Sequence, residues 1–314
     1  MAEPAISAIS ATPAITADGL QKRYGAVQAV DGVSLEIRTG EFFGLLGPNG
    51  AGKTTTLEIL EGLRKPDAGR ARVLGEPPWP RNPRLLPRIG VQLQASAFFD
   101  RLTAREQLAA FAQLYGVGPR RVEEMLARVG LGEFGGTLAE RLSGGQAQRL
   151  SIACALVHEP ELVFLDEPTT GLDPQARRNL WDLLREINAD GRTVVLTTHY
   201  LDEAEILCDR VAVMDHGRIL RTGAPAALVR ALDAPTRITV PAGALAPGVL
   251  AEARAELDGR VEITEDEVSL VFSTRDPAPV LALLTEHGAL HGLEARGGTL
   301  EDVFLDLTGR EYRE

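Results

Sequence analysis

The sequence predicts an α/β protein: a mainly parallel sheet covered by helices, followed by a small α+β unit. Three observations carry that reading. Short apolar runs alternate with amphipathic stretches between residues 41 and 198, the pattern of strands buried beneath helices. A glycine-rich turn, Gly47–Thr54, joins one such run to a helical stretch. The composition then shifts near Asp233, where a second set of short elements begins. A chain of 314 residues has room for one large domain and one small one.

Taken in order, residues 1–15 are rich in Ala, Ser and Pro without periodicity and read as a loose tail. From Ile15 to about Arg38 the chain reads as strands with turns; Val33-Ser34-Leu35-Glu36-Ile37 alternates with the period of a strand. Glu41–Leu46 is a buried strand, and Lys53–Leu63 a helix ended by Pro66 and Gly69. Arg88–Leu93 is another strand. Residues 102–116 and 119–130 have helical spacing. Ser143-Gly144-Gly145 opens a helix running through Val157. Leu162–Leu165 and Thr193–Thr197 are buried strands flanking an amphipathic helix, Ala176–Ile187. The second set reads as strand 236–240, helix 247–257, strands 260–264 and 267–273, helix 277–287 and strand 290–295. A last helix starts near Thr299, with Asp302 placed to complete its cap. The order β-α-β-β-α-β suggests a ferredoxin-like unit. The expected domains are 16–232, with a helical part at about 95–157, and 233–314.

Composition excludes several functions. The formal net charge is −11, against the basic surplus usual in nucleic-acid-binding domains. Two cysteines, Cys154 and Cys208, cannot form a disulfide framework or a four-cysteine zinc site, and both read as core residues. His158 and His216 sit at element ends and suggest no metal site. The first basic residue is Lys22, so no signal-peptide n-region is expected, and no apolar run reaches membrane-spanning length. Action at a membrane then requires a partner.

Three motifs carry chemistry. Gly47-Pro48-Asn49-Gly50-Ala51-Gly52-Lys53-Thr54 fits the phosphate-binding pattern G-x-x-x-x-G-K-[ST]. Its glycines let backbone N–H groups curl around phosphate oxygens, and the following helix aims its positive end there. The chain has only three lysines, Lys22, Lys53 and Lys65, and Lys53 stands where such a loop needs one to reach the β- and γ-phosphates. Thr54, followed by Thr55, can ligate Mg²⁺. In Leu162–Pro168 an apolar strand delivers two carboxylates at its C-terminal end. Alone, that is as often a solvated strand end. Beside a phosphate loop, Asp166 fits a Mg²⁺ ligand and Glu167 the group that polarises the attacking water. Leu142-Ser143-Gly144-Gly145-Gln146 is a second glycine-rich helix start, hence a second anion-binding end in one chain.

That pentapeptide resembles the signature of the ATP-binding cassette family, and the phosphate loop and acidic pair flank it in the family's order. The resemblance spans about residues 15–230. It implies a P-loop NTPase cassette, with an antiparallel β subdomain and a helical subdomain beside the parallel core. It further implies that Tyr24 stacks on adenine and that Gln94 senses Mg²⁺ and links the nucleotide to a transport partner. His199 matches the switch histidine on the γ-phosphate, and Gly171-Leu172-Asp173 the loop crossing a dimer interface. In that geometry two subunits pack head to tail, so that Ser143, Gly144, Gly145 and Gln146 of one close on ATP held by the other. ATP and Mg²⁺ are the implied ligands. A second copy of the chain and a separate integral membrane permease are the implied partners, with no nucleic acid. The expected location is the cytoplasmic face of the cell membrane.

The C-terminal run Thr299–Glu311 is similar to the ending of ATPases serving ABC-2-type exporters of drugs, lipids or polysaccharides, including the daunorubicin-resistance kind. The rival reading is a non-transport cassette acting in DNA repair or on ribosomes. Repair members insert coiled coils or zinc modules between phosphate loop and signature. Here that gap of about 90 residues has no heptads and no cysteine pairs. Ribosomal members carry two cassettes, and this chain has one. The adjacent aromatics Phe98-Phe99, within Gln94–Arg101, read either as a docking site for the membrane subunit or as core.

Overall fold

The computed structural model describes residues 13–92, 98–99, 101–232, 234–257 and 259–309. They fall into two compact units, one ending at Pro225 and the other beginning at Ala226.

The first unit opens with β1 (Pro13–Tyr24) and β2 (Val27–Arg38), an antiparallel pair joined at Gly25. Val33, Leu35 and Ile37 are buried and the residues between them exposed, as their alternation requires. Then come β3 (Phe42–Leu46), α1 (Lys53–Leu60) and β4 (Ala68–Val73). β4 joins the far side of β1, giving a three-stranded antiparallel sheet, β2-β1-β4. The loose-tail reading of residues 13–15 is corrected: β1 starts at Pro13, and Ala14 and Ile15 are buried in the core. Small residues made the segment look unstructured, but its pairing to β2 and β4 orders it.

Beyond these lie β5 (Ile89–Gln92) and the helices α2 (Ala104–Leu114), α3 (Pro119–Arg128) and α4 (Gly144–Leu156). Thr103 and Ser143 each begin a helix through a capping box, with Glu106 and Gln146 reaching back. The unit continues through β6 (Leu162–Asp166), α5 (Pro174–Ala189), β7 (Thr193–Thr198) and α6 (Leu201–Leu207). A hairpin, β8 (Arg210–Asp215) and β9 (Arg218–Gly223), completes it. The second sheet runs β5-β6-β7-β3-β8-β9, parallel except for β9. Every residue of β3, β6 and β7 is buried, as in a sheet covered on both faces. The register pairs Leu46 with Thr198 and Asp166 with Thr197, so these three strands end together. Whatever follows them shares one edge, the C-terminal edge where open α/β sheets bind ligands.

α7 (Pro225–Ala231) leads into the second unit. There β10 (Thr236–Pro241), α8 (Pro247–Glu256), β11 (Val261–Glu265), β12 (Ser269–Thr274), α9 (Ala278–Glu286) and β13 (Glu294–Arg296) precede α10 (Leu300–Thr308). The strand order β11-β12-β10-β13, antiparallel throughout, has the crossed connections of a ferredoxin-like sheet. Ile238, Val240, Leu270, Phe272, Val280 and Leu284 form its core. The last strand is shorter than expected, because residues 290–292 form a turn. Thr299 and Asp302 make the expected cap of α10.

Candidate nucleotide site

The phosphate loop lies between β3 and α1. Gly50 has φ +82° and Gly52 φ +99°, conformations that side-chain-bearing residues rarely adopt. A Cβ on Gly52 would lie 2.2 Å from the carbonyl oxygen of Ala29, so no other residue fits there. Pro48 accepts from Ala51 N–H, folding the loop back on itself. Asn49 and Gly50 are exposed at its tip, with Thr54 exposed and Thr55 half-buried on the first turn of α1. The first N–H groups of that turn have no carbonyl one turn earlier, so they point at the loop's hollow.

Lys53 is buried and donates to Gly47 O at 2.7 Å and to Pro48 O at 3.2 Å. Its Nζ also lies 3.2 Å from Glu167 Oε1. Burial lowers its pKa, and the carboxylates of Glu167 and Asp166 oppose that. Thr54 Oγ1 donates to Asp166 Oδ1 at 3.1 Å, and Thr197 Oγ1 donates to the same oxygen. Burial raises the Asp166 carboxyl, partly offset by those two hydroxyls.

Glu167 follows β6 with φ +46°, a left-handed conformation that costs a non-glycine residue about 1–2 kcal/mol. Its N–H is held by Thr197 Oγ1 at 3.0 Å. Its Oε2 lies 3.1 Å from His199 Nδ1 and accepts from Thr170 Oγ1 at 3.3 Å. Burial pushes this carboxyl up, but Lys53 and His199 outweigh it and leave it below the usual range. Lys53, Glu167 and His199 therefore form one buried row at the end of three adjacent strands.

The second glycine-rich end lies elsewhere in the unit. Ser143, Gly144, Gly145 and Gln146 line a cavity of about 410 Å³ with Arg149, Gly171 and Asp173. Ser143 Oγ accepts from Gln146 N–H at 3.3 Å, and Asp173 caps α5 by accepting from Gln175 and Ala176 N–H groups. No residue of the phosphate loop lines this cavity, so the two anion-binding ends are separate within one chain. Tyr24 ends β1 with 41% exposure, flanked by Lys22 and Arg64. Gln94 lies outside the described residues. Phe99 is 59% exposed, which goes against a core role for that ring, while Phe98 is half-buried. Cys154 and Cys208 are free and buried, as expected of core residues.

Sequence reasoning missed Thr170 and Thr197, which orient the two carboxylates, and gave no role to Arg149, which lines the second cavity. Polar residues within the otherwise apolar end of β7 were the available signal: a buried threonine there must find a partner.

A parallel sheet with a glycine-rich phosphate loop and an acidic pair at its C-terminal edge defines a P-loop ATPase. Residues 30–170 match the ABC transporter family. The Nod factor export ATP-binding protein I of Ralstonia nicotianae is 40% identical across 99% of this chain and 99% of its own. That of Paraburkholderia xenovorans is 42% identical across 96% and 99%. Among solved structures, an ATP-binding cassette of an ABC transporter in its ADP conformation has a TM-score of 0.61 at 25% identity, over 68% of this chain and 91% of its own. cbiO1 from Clostridium perfringens, part of the ABC transporter complex cbiONQ, has 0.63 at 29%, over 70% and 94%. The chain belongs to the ABC transporter family as one of its ATP-binding, ATP-hydrolysing subunits.

Proposed function

We propose that this chain energises an exporter by hydrolysing ATP at the row Lys53–Glu167–His199. The observation that carries the reading is Glu167 held between a lysine of the phosphate loop and a histidine at the end of the neighbouring strand. Lys53 and the N–H groups of Gly50–Thr55 take the β- and γ-phosphates, and Tyr24 stacks on the adenine. Glu167, kept ionised by its neighbours, accepts a proton from the attacking water. The oxygen attacks the γ-phosphorus, the bond to the β-phosphate oxygen breaks, and ADP and phosphate leave. His199 contacts the γ-phosphate.

Thr54 and Asp166, oxygens 3.1 Å apart, fit a hard cation that prefers one or two carboxylates plus phosphate oxygens. With Gln94 they would hold Mg²⁺, which neutralises charge on the phosphates. The separation of the Ser143–Gln146 end from the phosphate loop supports a homodimer: each copy's Ser143, Gly144, Gly145 and Gln146 close on the other's ATP, with Asp173 beside the interface. Among the described residues no helix is long and apolar enough to cross a membrane. Transport then needs a separate permease, and the chain works on the cytoplasmic face of the cell membrane. The full-length relatives named for Nod factor export support the exporter reading over DNA repair or ribosome action. They match through the second unit as well, whose residues from 233 to 314 we assign as an accessory domain.

Glu167→Gln tests the assignment. The amide cannot take the proton, so ATP binding persists, turnover stops, and the stalled protein dimerises in saturating Mg-ATP. Sedimentation showing only monomer would refute the dimer reading, and normal turnover the base.

A further inference from the structure

Glu203 lies in the first turn of α6 and is wholly buried. A carboxylate is almost never fully buried unless something holds it. Trp181 of α5 donates its indole Nε1–H to Glu203 Oε1 at 3.1 Å. The carboxylate's other oxygen, Oε2, has no hydrogen-bond partner among the described residues; the Thr198 and Thr169 hydroxyls lie nearby, and Arg177 acts on the carboxylate from further away. Burial raises its pKa, and these groups offset part of the rise.

Each of these contacts belongs to an element that ends in the nucleotide site. Thr198 is the last residue of β7 and immediately precedes His199. Its Oγ1 accepts from Tyr200 N–H at 2.9 Å, at the residue immediately before α6. The turn carrying His199 thus leads directly into the helix that Glu203 anchors. Thr169 lies two residues beyond Glu167, and the adjacent Thr170 donates to Glu167 Oε2. Trp181 belongs to α5, the helix capped by Asp173. One buried carboxylate joins the helix that follows His199 to helix α5.

We propose that Glu203 is a positioning residue for ATP hydrolysis. By holding Trp181 it anchors the first turn of α6, four residues after His199, against α5, and so fixes the 3.1 Å approach of His199 to Glu167. The proposal rests on the reading of Glu167 as the base. A misplacement on the order of 1 Å at a reacting group can cost about 10²-fold in rate, so a pin at this point has leverage on turnover without touching nucleotide.

The test compares kcat, KM, equilibrium binding of a fluorescent ATP analogue and melting temperature for the full chain and four variants: Glu203→Ala, Glu203→Gln, Trp181→Phe and Glu167→Gln. Glu203→Ala lowers kcat by about 10- to 10²-fold and leaves analogue binding within about 3-fold of wild type. Trp181→Phe, which keeps a ring but loses the donor, lowers kcat by a smaller factor. Glu203→Gln, whose amide oxygen still accepts from the indole, recovers most of the activity. Should Glu203→Ala not fold, Trp181→Phe and Glu203→Gln carry the comparison. A kcat within about 2-fold of wild type in the folded Ala and Phe variants overturns the proposal. So does a parallel loss of binding, melting temperature and kcat that Glu203→Gln fails to rescue, because that is a purely structural role. Normal turnover by Glu167→Gln overturns the base assignment, whereas failure of the Glu203 comparison leaves that assignment standing.

Discussion

The Nζ of Lys53 lies 3.2 Å from Oε1 of Glu167, with both side chains almost wholly removed from solvent. The glycine-rich loop after β3 and the Glu167 carboxylate are therefore electrostatically one unit. A buried ion pair contributes little net stability as a pair, but removing one member strands the other charge, at a cost of about 3–5 kcal/mol.

Lys53→Ala strands Glu167. In the wild type this carboxyl is depressed, chiefly by Lys53 and then His199, against the upward push of burial. Its stabilising contribution is therefore present above about pH 4.5 and is lost as pH falls through the folded pKa. Without Lys53 the burial effect gains weight and the carboxyl rises. The stability gap between wild type and variant then widens as pH increases from about 4.5 to 8 and closes at lower pH. Urea denaturation across that range measures it, and a gap independent of pH would contradict the coupling. Nucleotide affinity falls by about 10- to 10²-fold, the loss of one charge-assisted contact to phosphate.

Ser143 has two separable duties. Its Oγ caps α4 by accepting from Gln146 N–H, while its position lining the 410 Å³ cavity leaves the hydroxyl available to a partner's phosphate. Ser143→Ala removes the cap and costs about 1 kcal/mol, a shift of roughly 2–4 °C in melting temperature. If the hydroxyl also meets ATP across a dimer, turnover falls by far more than that small destabilisation accounts for, and ATP-driven association in a Glu167→Gln background weakens. Turnover that tracks the melting temperature alone would confine Ser143 to capping.

What could be read from the sequence follows from how the strands are covered. β3, β6 and β7 are buried at every residue around short apolar runs, so their ends, and hence Lys53, Asp166, Glu167 and His199, could be placed at once. β4 could not, because Ala68–Val73 buries only Val73 fully and becomes a strand only by pairing with β1. The edge strand β9 has no fully buried residue and escaped for the same reason, while α6 and β8 were simply not assigned. The contact from Trp181 to Glu203 spans 22 residues and depends on how α6 packs on α5, which no local pattern encodes. Gly144 and Gly145 announced a helix start, but that they face a cavity shared with Gly171 and Asp173 emerged only from packing.

Glu61 offers a pH-dependent signature separate from the row Lys53–Glu167–His199. It follows α1 directly and is buried, and its Oε1 has no hydrogen-bond partner among the described residues. Burial, followed by the charges of Asp166 and Glu58, pushes its carboxyl up to about 8, from 4.5 in the unfolded chain. Between those two values the folded state binds more protons than the unfolded state. Stability therefore falls as pH rises from about 4.5 towards 8, and the full penalty persists above that. Glu61→Gln keeps the shape and removes the titration. The variant should match the wild type near pH 5 and exceed it near pH 8.5 by an amount on the order of a few kcal/mol. Chemical denaturation at the two pH values, without nucleotide, measures the difference. An equal stability difference at both would mean that Glu61 is ionised in the folded protein at neutral pH, held by a partner the geometry does not provide.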